Sequence, residues 1–126
     1  MADLISYLQA QSGLTALVPA SNIWLDVAAD AQLLPFLIVT VVSDVPEWDV
    51  AGNYLSRMRV RLTPYAATLS ALDGIVAQLY TAMDNVIGMY GQQIGSIREN
   101  CIPHGLQAGA YSATCEWLVF EDLPRP

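Results

Sequence analysis

The sequence predicts an α+β domain with a mainly antiparallel sheet of about four to five strands packed by two helices, in the order α-β-β-β-α-β-β. Two segments indicate strands: residues 36–42 form a short, largely β-branched run, and residues 55–63 alternate polar and apolar side chains. A third segment, residues 69–83, carries apolar residues at steps of three and four, which is typical of a helix packed on a sheet.

The chain begins with a helical pattern and a first short strand. Apolar residues have helical spacing over residues 2–11, and a second apolar cluster over residues 14–18 ends at Pro19. Residues 22–27 combine β-branched and aromatic side chains and therefore predict a short strand. Pro35 fits the start of the next strand, where its missing N–H does not interrupt a ladder.

Residues 43–52 predict a long, mobile connection between two strands. The segment contains Glu47, Trp48 and Asp49, which place an aromatic side chain between two acids. Long connections are usually either functional or poorly ordered. Two interpretations stay open: Trp48 folds onto the sheet as a lid over the core, or the segment docks on another protein, because tryptophan is enriched among interface anchors.

The strand that follows carries three arginines on one face. Period-2 geometry places Arg57, Arg59 and Arg61 together and the apolar residues between them on the opposite face. These arginines either pair with acids of neighbouring strands, such as Glu99 and Glu116, or meet the acidic surface of an adjacent copy. The abundance of acids favours the contact between subunits.

The second half of the chain predicts one helix, two strands and a tail. Thr68 or Ser70 caps the helix. Residues 92–102 and 111–120 predict strands joined by a turn-rich connection, and residues 122–126 predict a short C-terminal tail. The apolar stripe predicted for the helix is Leu69, Leu72, Val76, Leu79, Met83 and Val86. One face of the last strand is predicted to carry Ala113, Cys115, Trp117 and Val119.

Composition predicts a single domain over residues 1–126 whose surface is partly covered by other protein. The hydrophobic fraction is 54% and the charged fraction is 13%. Average proteins have about 45–50% and about 25%. A chain with so little polar material has extended apolar patches, which usually mark interfaces.

The net charge of −7, with no lysine, argues against tight binding of nucleic acid. A surface of the same sign as DNA suits a passage rather than a clamp. The N-terminal residues lack the pattern of a secretory signal, and the longest apolar run is shorter than the ~20 residues of a membrane span. We therefore expect no membrane partner and a cytoplasmic location during synthesis.

The sequence gives little indication of a metal site or of catalytic residues. Cys101 and His104 have the spacing of half a zinc site, with Cys115 as a third ligand, but a structural zinc needs four ligands. The same cysteine and histidine could act as nucleophile and base, yet nothing local activates the thiol. Cys101 and Cys115 could in principle pair, but two cysteines in an acidic domain without an export signal are expected to be buried free thiols. We predict no catalytic residue, no metal and no cofactor.

The order of elements resembles that of the small tail-completion, or tail-terminator, proteins of long-tailed bacteriophages. The likeness covers residues 1–85. It rests on Pro35-Phe36-Leu37-Ile38-Val39, then Pro46-Glu47-Trp48-Asp49-Val50-Ala51-Gly52, then Arg59-Val60-Arg61-Leu62-Thr63-Pro64-Tyr65-Ala66 and an alanine- and leucine-rich helix. Upstream, Leu14-Thr15-Ala16-Leu17-Val18 followed by Asn22-Ile23-Trp24 fits the same layout.

This resemblance implies a homo-oligomeric ring, commonly of six copies, that ends the tail tube in the neck of the virion. Its partners would be the tail tube protein and the head-tail connector protein, and double-stranded DNA would pass through without specific binding. The residues expected at subunit or partner interfaces are Glu47, Trp48, Asp49, Arg57, Arg59 and Arg61. Two alternatives of other classes are a dimeric module that binds a small ligand between helix and sheet, and a small enzyme that uses Cys101, His104 or clustered acids.

Overall fold

A five-stranded sheet with helices on one face forms the architecture in the computed structural model, which describes residues 2–26, 34–48 and 54–123. The predicted α+β class and the order of the strands around the long helix are confirmed. The elements are α1 (Ala2–Gln9), α2 (Ser12–Thr15), a 3₁₀ turn (Ala20–Asn22), β1 (Ile23–Leu25), β2 (Phe36–Trp48), β3 (Tyr54–Ala66), α3 (Leu69–Met83), β4 (Gln93–Gln107) and β5 (Ala110–Leu123).

The strands lie in the order β1-β2-β3-β5-β4. Strand β1 pairs with β2 in parallel, and every other neighbouring pair is antiparallel, as predicted for a mainly antiparallel sheet. Two long hairpins, β2–β3 and β4–β5, are therefore joined side by side through β3 and β5. Strands β1 and β4 form the two edges.

The core lies between the helices and one face of the sheet, which we call the inner face. Alternate residues of β3 and β5 are buried there, including Val60 and Leu62 at 0% exposure. The helices contribute Leu4, Leu8, Leu14, Leu72, Ile75, Leu79 and Met83. The predicted shared face of Ala113, Cys115, Trp117 and Val119 is confirmed, since all four belong to this core.

The largest fully buried side chain ties the end of α3 to β5. Trp117 donates a hydrogen bond from Nε1 to Oδ1 of Asp84 over 2.8 Å, and Asp84 is the C-cap residue of α3. The Arg98 guanidinium lies 3.7 Å from the centre of the Tyr80 ring and 3.6 Å from Oδ2 of Asp84. The buried indole N–H is thus satisfied, and the helix cannot slide along the sheet without breaking that bond.

The predicted connection over residues 43–52 is too long. Residues 43–48 continue β2 and pair with β3 from Ser43 opposite Arg59 to Trp48 opposite Tyr54, after a register shift between Val41 and Ser43. A bulge of this kind lets a strand continue with one extra residue. Residues 49–52 of the predicted connection lie outside the described part of the chain.

The turn between the last two strands is also tighter than predicted. Strand β4 continues to Gln107, so the connection contains only Ala108 and Gly109, whose φ angles are +51° and +79°. Two successive residues with positive φ are the signature of a two-residue hairpin turn. Pro103 is tolerated within β4 because an edge strand needs its N–H groups on one side only.

The first two residues of the predicted C-terminal tail continue the last strand. Residues 122 and 123 belong to β5, and residues 124–126 lie outside the described part of the chain.

Helix α3 spans the predicted residues but uses a slightly rotated buried stripe. Ile75 is buried in place of Val76, which is only half-buried, and Leu69 is 53% exposed. Ile75 lies three residues after Leu72 and four before Leu79, so it belongs to the same helical face. At the N-terminus, Thr68 rather than Ser70 caps the helix, accepting a hydrogen bond from the backbone N–H of Ala71 over 3.1 Å.

Replacing the cap with Thr68→Ala should lower the free energy of unfolding by about 1 kcal/mol, because one backbone N–H of α3 loses its acceptor. Urea denaturation measures this change. Thr68→Ser retains a hydroxyl oxygen at the same position and serves as the control, with a loss well below that of alanine. Equal losses in the two variants would show that the threonine methyl group, not the cap, matters.

Candidate assembly surface

The sheet face opposite the helices, which we call the outer face, combines charged and apolar side chains. Cross-strand pairing defines which residues share it, since directly opposed residues project to the same side. From β2 and β3 it carries Phe36, Ile38, Thr40, Arg57, Arg59, Arg61, Thr63 and Tyr65. From β5 and β4 it carries Thr114, Glu116, Leu118, Phe120, Ile97 and Ile102.

The predicted arginine row is present on the outer face, and each arginine has an acidic partner within the chain. Arg57 lies 3.3 Å from Glu47, measured between Nη2 and Oε1. Nε of Arg59 lies 2.8 Å from Oε1 of Glu99, and its Nη2 lies 3.3 Å from Oε2. Nη2 of Arg61 lies 3.2 Å from Oε2 of Glu116. We call these three contacts the ion-pair row.

The predicted pairing with Glu99 and Glu116 is therefore confirmed, and the inter-subunit contact stays a prediction. The arginine side chains are 43–44% exposed, so water screens each pair. Pairs of this kind are worth about 0–1 kcal/mol. The ion-pair row thus balances charge on the outer face more than it stabilises the fold. Each guanidinium group has five N–H donors, so it can still donate hydrogen bonds to further partners.

The structure describes the three residues of the predicted docking segment to different extents. Glu47 lies on β2 and pairs with Arg57, so it belongs to the ion-pair row rather than to a connection. The backbone of Trp48 ends β2, while its side chain lies outside the described part of the structure. Asp49 also lies outside it, so neither interpretation of the tryptophan is tested.

The sequence prediction missed two exposed isoleucines on the outer face. Ile97 lies opposite Leu118 and is 52% exposed, and Ile102 lies opposite Thr114 and is 53% exposed. Register shifts along β4 break the simple alternation that would have revealed them. The available signal was the clear alternation of β5, because each β4 residue takes the face of the β5 residue opposite it.

One end of the inner face carries a group of acidic residues around a tyrosine. Burial raises the pKa of Glu121, the charge of the N-terminal amine and a hydrogen bond from Tyr90 lower it, and the negative charges of Asp44 and Asp3 raise it, so that the net shift is upward. Burial likewise raises the pKa of Tyr90, with a further contribution from the charge of Glu121. Asp44 accepts a hydrogen bond from the buried Ser56 hydroxyl. The folded state thus buries part of the Glu121 carboxyl group beside two other acids.

The cysteine prediction is wrong, because Cys101 and Cys115 form a disulfide. They are direct cross-strand partners in the β4–β5 hairpin, a proximity that their spacing in sequence does not reveal. His104 contacts the hydroxyl of Thr114, whose position on β5 faces away from that of Cys115. The disulfide has no thiolate, and His104 and Cys101 are not brought together as a nucleophile and base would need.

Metal-binding and membrane-spanning features are not found in the described residues. Within residues 2–26, 34–48 and 54–123, no group of three or more histidine, cysteine, aspartate or glutamate side chains has an arrangement suited to a metal ion. Over the same ranges, no helix combines the length and the hydropathy required to cross a bilayer.

The groove between α3 and β4 is small for a ligand site. It has a volume of about 180 Å³, whereas pockets for small molecules usually have about 300–1,000 Å³. Its lining residues include Leu69, Val76, Tyr80 and Pro103. Two other shallow clefts, of about 240 and 330 Å³, lie beside Ile97 and beside Phe36. The geometry thus gives little support to the small-ligand alternative, which predicted a pocket between helix and sheet.

The raised pKa of Glu121 predicts a pH-dependent gain in stability for Glu121→Gln. Because the folded pKa exceeds the unfolded value, the carboxyl group destabilises the folded state increasingly as pH rises from the unfolded pKa through the folded pKa. Glutamine cannot ionise and keeps an acceptor for Tyr90. The free energy of unfolding of the variant should therefore exceed that of the parent by more at about pH 7 than at about pH 4. Urea denaturation at the two pH values measures this difference.

The control for this prediction is Asp122→Asn, which removes an exposed carboxylate next to Glu121 on the same strand. Its stability difference from the parent should vary less with pH. A Glu121→Gln difference that is the same at both pH values would contradict the proposed burial effect.

Comparison with known proteins identifies a structural relative but no sequence family. No protein-family model and no curated protein sequence matches the chain. Among solved structures, a chain of the virion of the native gene transfer agent (GTA) particle matches with a TM-score of 0.73. The match covers 97% of this chain and 93% of that chain at 10% sequence identity. At this identity the match shows that the two chains share a fold over nearly their whole lengths.

Proposed function

We propose that this protein is a structural component of a phage-like virion, where it caps the tail tube as an oligomeric ring and joins the tail to the head connector. DNA passes through the ring without specific binding. In this proposal the ring contains six copies, its partners are the tail tube protein and the connector protein, and it occupies the tail or neck. It assembles in the host cytoplasm and catalyses no reaction.

The observation that carries the proposal is the fold shared with a chain of the GTA virion, which is aligned over 97% of this chain. The match also covers 93% of that chain, so the likeness extends over nearly the whole of both chains. The resemblance of residues 1–85 to tail-completion proteins supports the same role independently, because it rests on the order of sequence elements.

Composition supports the same function. A hydrophobic fraction of 54% provides apolar surface for contacts between subunits. The net charge of −7 disfavours strong contacts with phosphate, so DNA would pass a ring of such subunits without being held. The disulfide removes the thiolate that an enzyme based on Cys101 would use.

The interface in this proposal includes the ion-pair row and the end of the β2–β3 hairpin. Arg57, Arg59 and Arg61 would contact acids of an adjacent copy through the guanidinium donors that face solvent. Glu47, Trp48 and Asp49 would make further contacts to a neighbouring subunit or to a virion partner, since tryptophan often anchors protein interfaces.

Negative-stain electron microscopy of the purified protein tests the ring. We expect annular particles with a central hole wide enough for a DNA duplex, because a passage for the genome requires one. Sedimentation velocity should give a single oligomer of matching mass. Compact dimers without a hole, or a monomer at micromolar concentration, would overturn the proposal.

Changing all three arginines to serine should prevent assembly while the subunit remains folded. The substitution leaves Glu47, Glu99 and Glu116 uncompensated, so the outer face of one copy would repel an acidic neighbour. Sedimentation velocity measures the oligomer, and circular dichroism checks the fold. A triple arginine-to-lysine variant keeps the charge and should retain part of the assembly. An unchanged oligomer in the serine variant would mean that the arginines form only a solvated face.

A further inference from the structure

The free edge of the sheet presents an apolar surface that the core does not use. Strand β4 is an edge strand of the sheet, and four of its apolar side chains are largely exposed: Ile94 (46%), Ile97 (52%), Ile102 (53%) and Leu106 (60%). Ile97 and Ile102 lie on the outer face, on either side of Glu99, the partner of Arg59 in the ion-pair row. Apolar contacts and balanced charges thus adjoin each other on one surface.

The backbone of β4 is poorly suited to pairing with another strand. Its register shifts at three places, between Gln93 and Gly95, between Arg98 and Asn100, and between Pro103 and Gly105. Bulges and a proline on an edge strand are devices that prevent strand addition. A partner at this side of the molecule would therefore contact side chains of the outer face rather than extend the sheet.

Charge complementarity favours a second copy as that partner. The chain carries a net charge of −7, so two copies repel each other over most orientations. Three of the five cationic residues of the chain lie in the ion-pair row, each beside a glutamate. The outer face is therefore a surface on which an acidic copy meets little repulsion, and its guanidinium groups can donate hydrogen bonds to a carboxylate of that copy.

The dimensions of the outer face are sufficient for a stable contact. It is formed by four long strands, the shortest of which have 13 residues. With strands about 4.8 Å apart and a rise of about 3.4 Å per residue, the face measures roughly 19 Å by 44 Å, or about 800 Å². A standard protein interface buries about 800 Å² on each partner.

We propose that the outer face is the surface on which a second copy of this chain packs, with Ile97 and Ile102 as apolar contacts beside the ion-pair row. This inference rests on the proposed function, which requires contacts between copies, and adds which surface makes them. The partner is a second copy, held by apolar side chains and by arginine–carboxylate contacts, and not by an added strand.

The test uses the double variant Ile97→Asn and Ile102→Asn in the full chain. Both side chains are about half-exposed in the subunit, so the variant should fold, which circular dichroism and thermal unfolding check. Losing two buried apolar contacts should raise the dissociation constant of the assembly by about 100-fold. Mass photometry and sedimentation velocity over a range of concentrations measure this shift.

The matched control is the double variant Leu17→Asn and Leu69→Asn. These residues are 41% and 53% exposed and belong to the helical side of the molecule. The control should assemble like the parent. An unchanged dissociation constant for the Ile97 and Ile102 variant overturns the inference. Equal weakening by both variants also overturns it, because the loss would then follow from any exposed apolar side chain and would not be specific to the outer face.

The parent protein separates this inference from the proposed function. If the parent forms rings and the isoleucine changes do not affect them, the proposed function stands and the inference is wrong. If the parent forms a compact dimer that those changes disrupt, the inference stands and the proposed ring is wrong. A parent that is monomeric at micromolar concentration overturns both.

Discussion

The two-residue period of β3 divides the sheet into an apolar inner face and an outer face that carries the arginines. The packing of the helices and the position of the ion-pair row both follow from that division. Val60 and Leu62 are fully buried on the inner face, whereas Arg59 and Arg61 project from the outer face. Because β3 lies between β2 and β5, its alternation extends to both hairpins through direct cross-strand pairing. A slip of one residue would bury the arginines and expose the core residues, so the register is strongly specified.

The helical layer completes one of these surfaces. Helix α3 packs Leu72, Ile75 and Leu79 against the inner face, and its C-cap residue accepts the hydrogen bond of the buried Trp117. An apolar stripe alone would allow the helix several positions, because hydrophobic contact is not directional. The bond between the indole N–H and Asp84 selects one of them. The helices and the inner face thus satisfy each other, and the outer face remains available for other contacts.

The charges of the chain are distributed unevenly between its surfaces. On the outer face each described arginine has a glutamate partner, while Asp3, Asp44 and Glu121 lie together at one end of the inner face. The charges of the outer face are therefore balanced, so the close approach of another copy meets little repulsion there. The proposed ring uses this property for contact between subunits.

The fold class, the long helix and the faces of β3 and β5 are predictable from the sequence alone, because each of these follows from a local periodic pattern. The full lengths of β2 and β4 become clear only in the folded chain, since pairing with a partner strand retains residues such as Pro46 and Pro103 that mark turns in sequence. Folding also joins Cys101 to Cys115, pairs Glu99 with Arg59, and places Ile97 on the same face as that ion pair. The physical reason is that strand register joins residues that are far apart in the chain, and a bulge changes that register by one residue without a local signal in the sequence.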